Sequence, residues 1–355
     1  MTANTPPLGQ ARENVVCLFT SRAYYPLAYV LASQIAADAA RTYDVVVFAD
    51  GADLPAPLGA SVRRFEFADK IPSTAPSSER MPRIAYYRLF MAESLGASYR
   101  RAVYLDSDIT LNSSLNPLFS LDMRGHPVAA VQDCGFVKRS DPARAQARDE
   151  YLRGVGIDPK GFYFNAGFLL ADLADWARLG ISERAVSLLN EFGERLFGMD
   201  QDTLNAVFAG AALELSPRWN FQAPYMGCGL ESVLDPVVFH HLEKLRPWHD
   251  IAYPPDAHSD TYKRFLAASP FPDFIANARE RWHYTYALKW RTRRALGFLP
   301  SVRKRIEAEK RKAAGRHNLA LAEIAAKLAS GAYADIGAAD APGLADKTRA
   351  LMIGP

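Results

Sequence analysis

Three runs near the start of the chain, Asn14–Thr20 (NVVCLFT), Asp44–Phe48 (DVVVF) and Ala102–Leu105 (AVYL), are apolar almost without a break and rich in β-branched or aromatic residues. A strand wet on one side alternates polar and apolar residues, so such runs need cover on both faces. Helical patterns lie between them. Leu27, Val30, Leu31 and Ile35 share one helical face, and Ile84–Leu95 reads as a helix. Strands that alternate with helices predict the α/β class with a mixed, mostly parallel sheet. Ser61–Phe67, Val128–Val131, Tyr163–Leu170 and Pro236–His240 read as further strands, and 72–82 as a loop rich in Pro and Ser. Ile181–Leu196 reads as an amphipathic helix. Asp200-Gln201-Asp202 opens another, with Asp200 as its expected cap.

Ligands of such sheets sit outside the carboxyl ends of the strands. There the chain reads Tyr104-Leu105-Asp106-Ser107-Asp108. On a continuing strand two acids spaced by one residue project to the same side and can share a divalent cation. The same spacing also suits a strand-end turn in which Asp bonds local backbone N–H groups.

Other pieces carry paired readings too. His240-His241 ends a late apolar strand, where adjacent side chains point opposite ways, so at most one would join a given site. An imidazole beside carboxylates suits Mn²⁺ or a similar ion, and otherwise it is a rim histidine with a satisfied hydrogen bond. Arg246 could meet a phosphate with its guanidinium fork. Asn165-Ala166-Gly167 inside a strand invites close approach to the backbone, or marks a bulge. Arg88 is either functional or a solvated residue whose stem covers apolar surface.

Composition is that of an ordinary globular chain of 355 residues, 49% hydrophobic and 23% charged, and a net charge of +3 is too small to imply nucleic acid. Cys17, Cys134 and Cys228 form no CxxC pair, which favours a reducing compartment. Residues 1–14 hold no apolar signal region and no run is long enough to cross a bilayer, so a cytoplasmic location is expected. The charge is unevenly placed. Between Arg279 and Arg316 thirteen basic residues face three acids, with Trp282, Tyr284, Tyr286, Trp290 and Phe298 interleaved. That segment suits an anionic membrane face, or a solvated helical face packed by its aromatics. The last forty residues are Ala-rich, partly helical and without a motif.

Taken in order, these pieces resemble the family 8 retaining glycosyltransferases. The resemblance runs from Tyr24 through Arg88-Leu89, Tyr104 to Asp108, Asn165 to Gly167, Asp200 to Asn205, Arg218 to Asn220, and His240 to Trp248. It implies a single Rossmann-like nucleotide-sugar-binding domain of the GT-A type over residues 14–258. A helical basic and aromatic region, 259–355, follows it. It also implies a metal-dependent, retaining transfer of a hexose from a UDP-sugar to a glycan or glycolipid, as in surface polysaccharide or lipopolysaccharide biosynthesis. Asp106, Asp108 and His240 would hold Mn²⁺ or Mg²⁺, with Ser107 between the acids at the cofactor. Arg88, Asn165, Ala166, Asp200, Gln201 and Arg246 would bind the donor, and Asp200 and Gln201 would act at the reacting sugar. Two positions depart from the family pattern. Ser21-Arg22 stands where an acid commonly meets the base, and Glu243 where a glycine lets backbone approach phosphate. Competing readings are a metal-dependent nucleotidyltransferase or phosphohydrolase, and a sugar-nucleotide-binding protein with a degenerate site.

Overall fold

The computed structural model of the chain describes residues 12–50, 54–77, 82–137, 142–242, 246–248, 257–274, 288–289, 291–293 and 295–352. Ten strands are found among them: β1 (Asn14–Thr20), β2 (Asp44–Ala49), β3 (Ser61–Arg64), β4 (Arg101–Leu105), β5 (Ile109–Leu111), β6 (Val128–Gln132), β7 (Phe164–Asp172), β8 (Ala212–Leu215), β9 (Phe221–Gln222) and β10 (Val238–His240). Seven form one sheet in the order β3-β2-β1-β4-β7-β6-β8. β3, β2, β1 and β4 run parallel, β7 is antiparallel to both β4 and β6, and β8 is parallel to β6. The expected mixed, mostly parallel α/β sheet is present. β5, β10 and β9 make a small second sheet.

The unbroken apolar strands are covered on both faces. Val15, Cys17 and Phe19 of β1 join the cluster under residues 83–95 and 173–207, while Val16 and Leu18 point into the opposite cluster under helix Tyr25–Ala36. Each such buried side chain contributes about 1.5–3 kcal/mol of transfer free energy.

The register carries the chain toward one end of the sheet. Leu105 pairs with Phe168, and the Asp106 N–H donates to the Gly167 carbonyl at 2.9 Å, one rung beyond β4. Asp106 therefore lies beside Gly167. On the small sheet, His240 pairs with Ile109 and with Gln222, directly after the acids.

Some local expectations need correction. Residues 83–95 are a 3₁₀ helix, Arg83–Phe90, before a short α-helix, Met91–Leu95. The helix from Ile181 ends at Phe192, where Gly193 takes a φ of 42°. Asp200 is not a cap: Gly198 holds that position, and Asp200 lies inside helix Met199–Val207, 2% exposed. β5, β8 and β9 were not expected.

Helix Ala257–Ala267 packs Tyr262 and Leu266 against Leu27, Val30 and Trp248, and the Tyr262 hydroxyl donates to the Ile109 carbonyl. The expected division at 258/259 runs through this helix. The Ala-rich end is not idle either. Helices Pro300–Ala329 and Ala341–Ala350 pack Leu321, Ile324, Leu328 and Ala345, with Tyr333 from the segment between them, against Phe221, Tyr225, Leu230 and Leu234.

Candidate active site

Asp106 and Asp108 do not sit on a continuing strand. β4 stops at Leu105 and β5 begins at Ile109, so Asp106, Ser107 and Asp108 form the turn between two sheets. The turn, rather than strand alternation, brings the two carboxylates together. β10 adds His240 from 132 positions further along the chain. One ligand atom from each of the three lies within 4.8 Å of the others.

Each of these residues has one atom committed and another aimed at the shared space. Asp106 Oδ1 accepts the Tyr104 hydroxyl and meets Arg88 Nη2 at 3.0 Å, while Oδ2 faces His240. Asp108 Oδ2 accepts Arg246 Nη1 at 2.7 Å, while Oδ1 lies 3.2 Å from His240 Nε2. His240 Nδ1 stands 3.0 Å from the Asn220 amide oxygen, whose nitrogen donates to Asn165 Oδ1. That arrangement puts the proton on Nδ1 and leaves the Nε2 lone pair toward the acids. Nε2 is buried and has no hydrogen-bond partner, lying near both carboxylates without bonding geometry. Two oxygens and an unpartnered imidazole nitrogen fit a divalent cation.

Gly167 is required by this packing. A Cβ there would lie 2.3 Å from His240 Cε1 and 2.6 Å from Asp106 Oδ2. The close approach foreseen at Asn-Ala-Gly is thus made by the candidate ligands themselves.

Arg88 is the charge centre behind the turn. It is 7% exposed and pairs with Asp106 and, through Nε at 3.2 Å, with Asp200. It also donates to the Ala85 and Ala166 carbonyls, and its guanidinium lies 4.4 Å from the Tyr104 ring centre. Burial alone would lower its pKa; Asp106 and Asp200 outweigh that and raise it. Burial lifts the Asp200 carboxyl to about 6, Arg88 opposing and Asp106 adding to the rise. Burial would lift Asp108 as well, but His240 and Arg246 overcome it and hold that carboxyl well below the usual range.

Gln201 binds the pocket together. Its oxygen accepts from Asn165 Nδ2 and from the Ala166 N–H, and its nitrogen donates to Asp133 Oδ2 and the Tyr163 hydroxyl. Asp202 faces away, accepting from the Tyr151 and Tyr163 hydroxyls and the Gly198 N–H. Met199, just before Asp200, has a φ of 52°, a strained conformation for a side chain of its size.

All the sequence-derived candidates meet here: Asp106, Ser107, Asp108 and His240 with Arg246 on one side, Arg88, Asn165, Ala166, Asp200 and Gln201 on the other. Three residues were missed. Asn220 was visible in the Arg218-x-Asn220 signal. Asp133 was visible only as the acid after β6, and it holds Asn165 at 3.0 Å. Tyr104 was visible as the residue preceding Leu105. Ser21 is half-buried, and Arg22 and Tyr24 are exposed beyond β1. Glu243 lies outside the described residues, as do Trp282, Tyr284, Tyr286 and Trp290.

The sequence model of the family described as Glycosyl transferase family 8 matches residues 17–252, about two-thirds of the chain. The chain belongs to that family. Among curated relatives, the lipopolysaccharide glucosyltransferase WaaO of Escherichia coli is 30% identical over 185 residues, 50% of this chain and 52% of that protein. The lipopolysaccharide 1,3-galactosyltransferase of Salmonella typhimurium is 30% identical over 190 residues, 50% and 53% respectively. General stress protein A of Bacillus subtilis is 29% identical over 172 residues, 48% and 56%. The chain thus spans about half the length of these relatives. Solved structures agree on the GT-A type fold. The galactosyltransferase LgtC, in complex with donor and acceptor sugar analogs, superposes with a TM-score of 0.55 at 20% identity, over 77% of this chain and 99% of that one. The bifunctional glycosyltransferase WbbM gives 0.60 at 21% identity, over 78% and 53%. The family 8 match ends at residue 252, before helices Ala257–Ala267, Pro300–Ala329 and Ala341–Ala350.

Proposed function

We propose that this family 8 chain is a divalent-cation-dependent hexosyltransferase moving a hexose from a UDP-sugar to a glycan or glycolipid acceptor, with retention at the anomeric carbon. One observation carries the reading: the buried, unpartnered His240 Nε2 aimed at Asp106 and Asp108, beside the Arg88–Asp200 pair. Asp106, Asp108 and His240 would hold Mn²⁺, or Mg²⁺ in its place. A cation there would offset charge on the leaving diphosphate as a Lewis acid.

The chain's own residues do the rest. Arg246, set 2.7 Å from Asp108, places a guanidinium charge beside the candidate ligands, where it would add to the stabilisation of the leaving diphosphate. Arg88 acts inward: it keeps Asp106 and Asp200 charge-balanced and fixed. Asp200 presents a carboxylate near the sugar as positive charge grows there. Gln201, Asn165 and Asp133 form one hydrogen-bonded frame that orients hydroxyls, with the Ala166 N–H at its edge. Asp200 is committed to its ion pair with Arg88 and no other carboxylate stands out as a nucleophile, so same-face attack is favoured over a covalent carboxylate intermediate.

Incubation with UDP-glucose and UDP-galactose tests the reading. Mn²⁺-dependent release of UDP and a retained linkage by NMR are expected. Release of UMP, or release unchanged by EDTA, would overturn it in favour of a nucleotidyl or phosphohydrolase chemistry.

We propose further that the basic segment docks on an anionic lipid surface. Arg303, Lys304, Arg305, Lys310, Arg311 and Lys312 are exposed on helix Pro300–Ala329, and Phe298, 75% exposed, precedes them. Arg303 and Arg305 share their charge with Glu307 and Glu309. No helix among the described residues is long and apolar enough to cross a membrane. Sedimentation with vesicles rich in anionic lipid should carry the protein down at low salt. Equal, negligible sedimentation with anionic and neutral vesicles would remove the proposal.

A further inference from the structure

Among its contacts, the C-terminal extension sets one carboxylate, Asp335, against the turn behind the candidate metal centre. The Ala334 N–H donates to the Glu214 carbonyl at 3.1 Å, which lays this segment against the edge of β8. Asp335 then accepts three bonds: the Ser216 N–H at 2.7 Å, the Ser216 hydroxyl at 2.6 Å and the Trp219 indole N–H at 3.0 Å. Three convergent donors suit a carboxylate better than any neutral acceptor. Trp219 is 4% exposed, and a buried indole N–H needs such a partner.

Trp219 closes the 3₁₀ turn Pro217–Trp219, and the next residue is Asn220. The same turn fixes the start of β10, because the Val237 N–H donates to the Arg218 carbonyl at 2.9 Å. Both routes end at His240: the Asn220 amide oxygen faces its Nδ1, and β10 delivers its backbone.

We propose that Asp335 is a positioning residue for the metal centre. It clamps Ser216 and Trp219, fixes the turn that presents Asn220, and so keeps the His240 Nε2 lone pair directed at Asp106 and Asp108. The proposal rests on the cation-binding reading of those three residues. Outer partners of a metal-ligating histidine set its tautomer and ring orientation, and losing one costs about 10- to 100-fold in metal affinity. Asp335 acts one residue further out, so an effect near the lower end, about tenfold, is expected.

The test is a titration of Mn²⁺, alone and with UDP, followed by the electron paramagnetic resonance signal of the free ion. Wild type should bind, and Asp108→Asn should lose most of the binding. Asp335→Ala and Trp219→Phe should each weaken it about tenfold. Trp219→Phe keeps the ring packed and leaves the Ser216 bonds of Asp335 intact, so it decides the matter if Asp335→Ala does not fold. Ile324→Ala, which opens the apolar contact of the same extension, should lower Tm without changing Mn²⁺ affinity. Wild-type affinity in both Asp335→Ala and Trp219→Phe, with binding lost in Asp108→Asn, overturns the positioning role and leaves the metal reading standing. An equal loss in Ile324→Ala also overturns it, because general loosening would then suffice. Absence of Mn²⁺ binding in wild type overturns both. On nitrogen-15 NMR, His240 should report an Nδ1-protonated ring in wild type and a mixture of tautomers in Trp219→Phe.

Discussion

Gly167→Ala adds one methyl group at the most crowded point of the site. The new Cβ would stand 2.3 Å from His240 Cε1, 2.6 Å from Asp106 Oδ2 and 3.0 Å from Asn165 Oδ1. Carbon atoms rest about 3.5–4.0 Å apart, so the imidazole has to retreat by roughly 1 Å and the carboxylate by somewhat less. Neither retreats cheaply. His240 is held by Asn220, Asp106 by Tyr104 and Arg88, and the Gly167 carbonyl by the Asp106 N–H. Overpacking of this kind costs about 1–3 kcal/mol, a fall of several degrees in Tm for a domain of this size. The functional loss should be larger in proportion. Misplacing a reacting or ligating group by about 1 Å costs about a hundredfold in rate, and disturbed ligand orientation costs about 10- to 100-fold in metal affinity. The assay pairs circular-dichroism melting with Mn²⁺ titration and UDP release. Gly154→Ala, where an added Cβ meets nothing within 4 Å, is the control. A folded Gly167→Ala protein that binds Mn²⁺ within about threefold of wild type would refute the argument that this glycine exists to admit the ligands.

Other expectations follow from the same geometry. Asp200 has a pKa raised from 3.8 to about 6, so the folded chain holds that proton more tightly than the unfolded one, and stability falls as pH rises between the two values. The full cost, about 3 kcal/mol at about 1.4 per unit, is present above pH 6. Asp200→Asn should therefore melt higher than wild type at pH 8, lose that advantage near pH 4, and transfer no sugar at either. Asp202→Ala should cost about 3 kcal/mol, because it strands the Tyr151 and Tyr163 hydroxyls and the Gly198 N–H, and chemical denaturation measures it directly. Arg246→Ala should raise donor KM about tenfold or more through a lost charge-assisted contact, with a smaller change in kcat; steady-state kinetics with the preferred UDP-sugar separates the two.

The sheet was legible because β-branched runs covered on both faces leave few alternatives. Asp44–Ala49 and Asn14–Thr20 lie within a residue of where their composition puts them. The site was legible as a set of residue types, and less so as a geometry. Asp200 and Asp202 are two positions apart on a helix, hence on nearly opposite sides, and nothing local says which one faces inward. Asp200 turns to Arg88 and Asp202 to the tyrosines. Asp133 was easy to pass over because β6 shifts register between Ala130 and Gln132, so the strand pattern gives out just before it. The role of Asp335 was invisible for a different reason. Its partners, Ser216 and Trp219, lie more than a hundred positions away, and an acid in an Ala-rich tail carries no pattern of its own.

What distinguishes this site from an ordinary cluster of acids is how its charges are divided. Asp106, Asp108, Asp133 and Asp200 converge at one end of the sheet, and two arginines answer them. Arg88 reaches Asp106 and Asp200 from inside and Arg246 reaches Asp108 from the β10 side, so each guanidinium spends itself on one oxygen of a candidate ligand and leaves the second turned inward. Had either arginine lain between Asp106 and Asp108, it would compete with a metal for the same lone pairs. Set at the flanks, the pair lowers the cost of holding several carboxylates together while leaving the centre negative. Under the proposed function a divalent cation would meet that negative centre, and a diphosphate would bring its own charge to the far side of the cation. The same division leaves His240 Nε2 turned to the centre as a third donor, with Nδ1 occupied by the Asn220 amide oxygen. It also explains why three separate residues, Asn220, Trp219 and Asp335, are spent on the orientation of one imidazole.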